Sequence, residues 1–256
     1  ASIGSGPLVP DTATAAGVRH LLHEAGLWAR VPPALRARLA AMDRGELPET
    51  PKAGDEAFAR VTLELIASNR LALDAAARRA AELGLAPVVS EAPLAGEASA
   101  VGASVAAALL QDCAAPGIPQ PRSGAVYPGV GGCCCIWGGE TTVTLGDGAG
   151  LGGRCQELAL AAAKVLDGAP AGIALLAAGT DGRDGPTDAA GAIVDGRTWR
   201  TIVEAGRDPD RDLAAHDAYH ALDAADALLR PGLTGTNVMD VVIGIRPATD
   251  ASRPAA

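Results

Sequence analysis

Gly138–Ala190 reads GGETTVTLGDGAGLGGRCQELALAAAKVLDGAPAGIALLAAGTDGRDGPTDAA. Two polar, glycine-rich loops bracket an apolar helix and an apolar strand. Alternation over 141–145 predicts a strand, and the loop Gly146–Arg154 joins it to a helix beginning near Cys155. The second loop, Gly179–Gly191, leaves a buried strand over 173–178 and carries Asp181, Asp184 and Asp188. Ligands of open α/β sheets bind outside the carboxyl ends of strands, and helix N-termini attract anions. Both loops fall in such places, so the chemistry is expected there.

Upstream, Asp11 or Thr12 is placed to cap a helix reaching about Gly26, and Pro32-Pro33 opens a second helix over 34–42. VTLELIA at 61–67 reads as a strand ending at Ser68-Asn69, followed by a helix over 70–83 that Gly84 closes. A short strand at 86–90 and a small-residue helix at 98–111 complete a β-α-β-α pattern, which predicts parallel strands in a layered α/β domain. Cys113–Gly132, with Pro116, Pro119, Pro121 and Pro128, reads as a linker. Beyond it come strands at 133–137, 141–145, 173–178 and 192–194, helices at 198–205 and 210–226, and a last strand at 238–245. The expected fold is a three-layer α/β/α arrangement of two α/β domains.

Hydrophobic residues make up 48% of the 256, but aromatics only 2%, so the core is built from Ala, Leu and Val. The net charge of −9 comes without a basic cluster, which argues against nucleic-acid binding. No apolar run approaches the ~18 residues of a membrane span, and no secretory start is visible. A soluble, cytoplasmic protein with no membrane partner is expected. Cys113, Cys133, Cys134, Cys135 and Cys155 lack metal-site spacing and read as buried small hydrophobes, with Cys134 facing away from Cys133 and Cys135. A disulfide framework is not expected.

The loop GDGAGLGGRCQE at 146–157 suits an anion: backbone N–H groups and Arg154 would face a phosphate, although the P-loop lysine is missing. A flexible hairpin is the plain alternative. Asp181, Asp184 and Asp188 suit Mg²⁺ or a general base, against a simple turn-forming role. Thr234-Gly-Thr-Asn237 offers hydroxyls and an amide to a ribose, phosphate or carboxylate, or is a turn. Ser68, Asn69, Gly96 and Glu97 are capping residues by default, but their places after strand ends make them candidates for the same crevice. His216 and His220 have the i, i+4 spacing of zinc ligands, without a third ligand; a surface or core pair is favoured. Lys52 is a loop cation with no evident anchor.

Eight segments, in order, resemble the glycerate 2-kinases with a C-terminal MOFRL domain. They are SGPLVPD (5–11), ETPKAGD (49–55), ASN (67–69), GEA (96–98), GGETTV (138–143), GGRCQELAL (152–160), AAGTDGRDGPTDAAGA (177–192) and TGTNVMD (234–240). The resemblance implies ATP-dependent phosphorylation of D-glycerate at its 2-hydroxyl, giving 2-phosphoglycerate, with Mg²⁺. Hydroxypyruvate reduction and a non-catalytic nucleotide- or sugar-acid-binding remnant are the alternatives. By matching motifs, Arg154 and Asp181 are the expected catalytic residues, and Asp181 and Asp184 the expected metal ligands. Expected to bind substrate or nucleotide are Ser5, Gly6, Lys52, Ser68, Asn69, Glu97, Gly138, Gly139, Glu140, Thr141, Gly153, Thr180, Asp188, Thr236 and Asn237. A homodimer is allowed for.

The resemblance also frames the domains. Residues 1–115 correspond to the later part of a Rossmann-like, parallel first domain, 116–132 to a linker, 133–247 to a mixed-sheet MOFRL-like domain and 248–256 to a tail. Family members carry a segment before the SGP loop, with further strands and an active-site lysine. The expectation is therefore of a truncated first domain with an exposed sheet edge.

Overall fold

The computed structural model describes residues 8–111, 132–146 and 148–248. The chain divides into two compact units between Ile66 and Ala67.

In the first unit, α1 (Ala15–Glu24) is capped by Thr14, whose hydroxyl accepts from Gly17 N, later than the expected Asp11 or Thr12. α2 (Pro33–Asp43) opens with proline in its first turn, as expected where the amide would be unpaired anyway. The strand expected over 61–67 does not form, and Leu63, Leu65 and Ile66 are exposed. Its alternation is real, but a strand also needs a neighbour for its backbone groups.

The second unit runs α3 (Asn69–Glu82), β1 (Ala86–Val89), α4 (Ala98–Leu110), β2 (Gly132–Gly139), α5 (Arg154–Leu166), β3 (Ala174–Gly179), β4 (Gly191–Asp195), α6 (Thr198–Glu204), α7 (Pro209–Ala214), α8 (Ala218–Ala224), β5 (Leu228–Leu229) and β6 (Asp240–Pro247). Ser68 caps α3, its hydroxyl accepting from Leu71 N, and Gly84 follows the helix at φ 78. The strands form one mixed sheet in the order β1-β2-β6-β3-β4-β5. β1 and β2 are parallel, and the other pairs are antiparallel. Strands expected in two domains thus share one sheet, and the chain divides at 66/67 rather than at a linker between the two expected domains. Residues 116–131 of that linker, and the tail from 249, lie outside the described residues.

The sheet is covered on both faces. Cys134 and Ile136 point towards Leu73 and Ala80 of α3. Cys135 and Trp137 point the other way, into a larger core with Leu109 of α4, Leu158 of α5 and Val242 of β6. This is the period-2 separation expected for the consecutive cysteines. Burial pushes the Cys134 thiol up to about 11. Cys135 is disulfide-bonded, which the reading of all five cysteines as small hydrophobes did not include. α4 and α5 pack closely because Gly102 has no side chain: a Cβ there would stand 2.1 Å from Leu158 O.

Two further expectations change, and one short strand is added. Residues 141–145 contribute one isolated bridge, Glu97 with Thr142, instead of a strand. The single helix expected over 210–226 is two, α7 and α8, interrupted at His216, whose φ of 55 is left-handed. The two-residue β5 pairs with Gly191 and Ala192 of β4. Among the described residues no helix is long and apolar enough to cross a membrane.

Candidate active site

The antiparallel register gathers three backbone ends at one end of the central strands. Gly139, the last residue of β2, and Gly179, the last of β3, both pair with Asp240, the first residue of β6. The N-terminus of α5 reaches the same place through Arg154. Its Nε donates to Asp240 Oδ2 at 2.6 Å and its Nη2 to Asp240 Oδ1 at 2.9 Å. Glu140 Oε1 stands 3.2 Å from the same Nη2. A guanidinium fork on a carboxylate is among the stronger polar pairs, and the hydrogen bonds that Arg154 donates to Asp240 hold it above its ordinary pKa. The Asp240 side chain is 8% exposed and that of Arg154 34%, so the pair is anchored inside and open outside.

Asn69 ties this corner to α3. Its Nδ2 donates to Val238 O at 2.8 Å and to Asp240 O at 3.0 Å. Gly138 makes room for it, since a Cβ there would lie 2.0 Å from Asn69 Oδ1. Thr180 continues the strapping: its hydroxyl donates to Met239 O at 2.7 Å and accepts from Val238 N at 2.8 Å. Thr234 Oγ1 donates to Thr180 O, the Thr236 amide donates to Thr234 Oγ1, and Asn237 Oδ1 accepts from Met239 N. Asp181 flanks the same corner. A Cβ built on Gly179 would be 3.1 Å from Asp181 Oδ1 and 3.7 Å from Asp240 Oδ1, so the two carboxylates share the space that a side chain there would fill.

Asp184 has a different task. Its Oδ2 accepts from Gln156 N at 2.8 Å, and the Cys155 amide also bonds its carboxyl. The anion that the N-terminus of α5 attracts is therefore this buried side chain. Gly153 is required beside it, because a Cβ there would lie within 2.5 Å of the carboxyl group. Gly150 likewise admits Asp217, with its own amide donating to Ala215 O. The glycines expected as a phosphate cradle thus accommodate protein neighbours at these positions. Burial raises the Asp184 pKa to about 6 against the lowering effect of the two amides. Gln156 Nε2 donates to Asp184 O and Thr187 Oγ1, while its buried Oε1 has no partner among the described residues. Burial also drives the Cys155 thiol well above its ordinary range, which leaves it a poor nucleophile.

A cavity of about 480 Å³ opens over this arrangement, walled by Glu140, Thr141, Gly153, Arg154, Glu157, Asp184 and His216 among others. Glu97 stands near it, its carboxylate accepting from Thr144 N at 3.2 Å and from Thr144 Oγ1 at 2.5 Å. These bonds hold Glu97 below its ordinary pKa.

Not every expected residue gathers here. Asp188 is not a wall of the cavity; it accepts from Tyr219 OH at 2.8 Å and pairs with Arg230. Ser68 is occupied as the α3 cap. Lys52 belongs to the first unit, where Nζ donates to Ala13 O and Thr50 Oγ1. Ser5 and Gly6 lie outside the described residues. His216 and His220 do not share a helix, and His220 Nδ1 is 2.6 Å from Asp217 Oδ1. The sequence reading missed Asp240 and the pairing of Glu157 with His216. Asp240 had a signal, as the acid closing TGTNVMD.

The donor set can be set against Mg²⁺, which takes one or two carboxylates and completes its shell with phosphate oxygens and water. Among the described residues no three His, Cys, Asp or Glu side chains form a metal-holding group. Asp184 is committed to α5 and Asp240 to Arg154. Asp181 accepts one bond, from Arg183 N, and has an oxygen to spare among the described residues. The fit is to a metal carried in with phosphate rather than to a protein cage.

Fold and site define an α/β protein with a carboxylate- and arginine-lined cavity at the edge where β2 and β3 end. The MOFRL family model matches residues 133–240. The chain is 38% identical over 244 residues to a glycerate 2-kinase of Pyrococcus horikoshii, covering 95% of this chain and 52% of that protein. It is 34% identical over 278 residues to a glycerate kinase of Macaca fascicularis, covering 96% of this chain and 68% of that protein. The crystal structure of a glycerate kinase from Thermotoga maritima superposes with a TM-score of 0.71, at 36% identity, over 94% of this chain and 52% of that one. The chain belongs to the glycerate kinase family. It spans about half the length of the Pyrococcus and Thermotoga proteins, at 52% of each.

Proposed function

We propose that this chain carries the acceptor side of an ATP-dependent glycerate kinase, transferring a phosphoryl group to the 2-hydroxyl of D-glycerate to give 2-phosphoglycerate. The observation that carries the reading is the Arg154–Asp240 pair, anchored in the sheet and open to a cavity walled by Glu140 and Asp184. Family membership supports the reaction class.

Phosphoryl transfer needs positioning and charge neutralisation more than covalent help from the protein. Asp240 and Glu140 hold the Arg154 guanidinium in place, and its outward N–H groups bind the glycerate carboxylate or a phosphate oxygen. Asp181, beside Gly179, would hold Mg²⁺; when bound, the ion would neutralise phosphate charge. Asp184 fixes the first turn of α5 and thereby the direction of Arg154. The cavity is rich in carboxylates, so a bare triphosphate is repelled and its magnesium complex is accepted. Hydroxypyruvate reduction, the activity in the name of relatives from Agrobacterium vitis, has no feature of the cavity among the described residues that favours it.

The test is ³¹P NMR of the purified chain with D-glycerate, ATP and Mg²⁺. A phosphomonoester resonance at the 2-position, absent when glycerate is omitted, is expected. ATP loss independent of glycerate, or phosphorylation at the 3-position, would overturn the reading.

A further inference from the structure

The cavity has one wall that the charge-neutralising residues leave unexplained. His216 stands there between α7 and α8 with φ 55, a conformation uncommon outside glycine and worth an explanation when a functional cavity contains it. Tertiary bonds enforce it. Asp217 Oδ1 accepts from Leu151 N at 3.0 Å, Gly150 N donates to Ala215 O, and Tyr219 N donates to Leu151 O. Asp217 is itself held by Arg207 Nη2 at 2.9 Å. The turn that carries His216 is thus sewn to the glycine-rich loop on both sides.

The ring is oriented from below. His216 Nδ1 lies 2.7 Å from Oε2 of Glu157, whose side chain is 4% exposed and sits three residues after Arg154 on α5. A carboxylate only accepts, so in the neutral ring this contact places the proton on Nδ1 and leaves the lone pair on Nε2. Among the described residues Nε2 has no hydrogen-bond partner, and the side chain is 25% exposed. The charged groups around the ring are Glu157 and Arg154 from α5, Glu97 at the start of α4, Glu140, Asp184, and Asp217 on its own turn. Surrounded mainly by carboxylates and presenting a lone pair, Nε2 is matched to an O–H donor and not to an anionic oxygen.

We propose that His216 Nε2 accepts the hydroxyl proton of a hydroxy acid bound in this cavity, with Glu157 as the positioning residue that sets the tautomer and the ring plane. This rests on the glycerate reading above for the identity of the acid. In the transfer, the hydroxyl O–H bond breaks and its proton passes to Nε2, while the hydroxyl oxygen forms its bond to the γ-phosphorus. The bond from that phosphorus to the bridging oxygen breaks, and its electron pair leaves with ADP. His216 then returns the proton to solvent.

Two readouts test this. In long-range ¹H–¹⁵N spectra of histidine-labelled chain, His216 is expected as the Nδ1–H tautomer, and its Nε2 resonance is expected to move on addition of D-glycerate alone. An Nε2–H tautomer, or an Nε2 signal that D-glycerate leaves in place, overturns the proposal. In the ADP-release assay, His216→Asn keeps a residue tolerant of the left-handed backbone. It is expected to lower kcat about a hundredfold or more, with KM little changed, and to remove the acidic limb of the rate profile. Glu157→Gln is expected to displace that limb, and Glu157→Asp to restore it in part. An unaltered kcat and limb in His216→Asn overturns the role of His216 and leaves the kinase reading standing. Glycerate-dependent movement of Nε2 without any turnover in the unaltered chain supports the hydroxyl contact and overturns the kinase reading instead.

Discussion

Arg154 and Asp240 hold each other at the corner where Gly139, Gly179 and α5 meet, so truncating either is felt twice. Arg154→Ala removes the open guanidinium and leaves the Asp240 carboxylate buried without its partner. Stability is expected to fall by about 3 kcal/mol in urea titrations, the low end for losing one partner of a buried pair because the Arg154 side chain is 34% exposed. Arg154→Lys keeps the charge but not the fork and is expected to recover stability only in part. Asp184 makes a prediction in pH. Its folded pKa of about 6 lies above the ordinary 3.8, so the native state binds the extra proton between those values. Stability from this group is full below about pH 4 and is lost as pH rises through 6, by an amount on the order of 2–3 kcal/mol. Asp184→Asn should flatten that decline when unfolding is followed at pH 4.5 and pH 7. At this scale the sequence made Arg154, Glu140, Asn69 and Gly153 legible, because each sits in a short polar motif at an element's end. Asp240 stood in such a motif too, at the end of TGTNVMD, but its place in the site depends on cross-strand register with two glycines far away in the chain.

Elements were legible where their signals are local. α3 lies between Ser68 and Gly84, a cap and a left-handed stop that can be read residue by residue. α5 and β3 follow from unbroken apolar patterns. The failures are tertiary. Residues 61–67 and 141–145 alternate as strands do, yet only pairing makes a strand, and pairing is not written in either segment. The break between α7 and α8 lies inside a run with helical periodicity; it exists because Asp217 and Ala215 bond the glycine-rich loop. The closest helix contact offers a sharp test. Gly102→Ala would drive a methyl group into Leu158 O, forcing α4 from α5 and costing about 1–3 kcal/mol. A fall in Tm without loss of helical circular dichroism is the expected outcome, and an unchanged Tm would contradict the packing described here.

At the scale of the molecule, the layered α/β class was readable from alternating patterns, while the arrangement was not. A mixed six-stranded sheet results because β6, the last strand, inserts between β2 and β3 and antiparallel to both. That insertion also builds the site, since it delivers Asp240 between the ends of its two neighbours. The division at Ile66–Ala67 carries its own prediction. Thermolysin is expected to cut first among the exposed Leu63, Leu65 and Ile66, leaving a fragment that begins there and still unfolds cooperatively. Earlier cleavage within β2 or β3 would contradict that division.

The proposed glycerate phosphorylation depends on Arg154, at the shared end of β2, β3 and β6. Its most direct test is ADP release from ATP and Mg²⁺ with and without D-glycerate, in the unaltered chain and in Arg154→Ala. Glycerate-dependent release is expected, lowered by Arg154→Ala about a hundredfold or more, the scale of losing one charge-stabilising donor. Release that does not depend on glycerate, or that Arg154→Ala leaves intact, would contradict it.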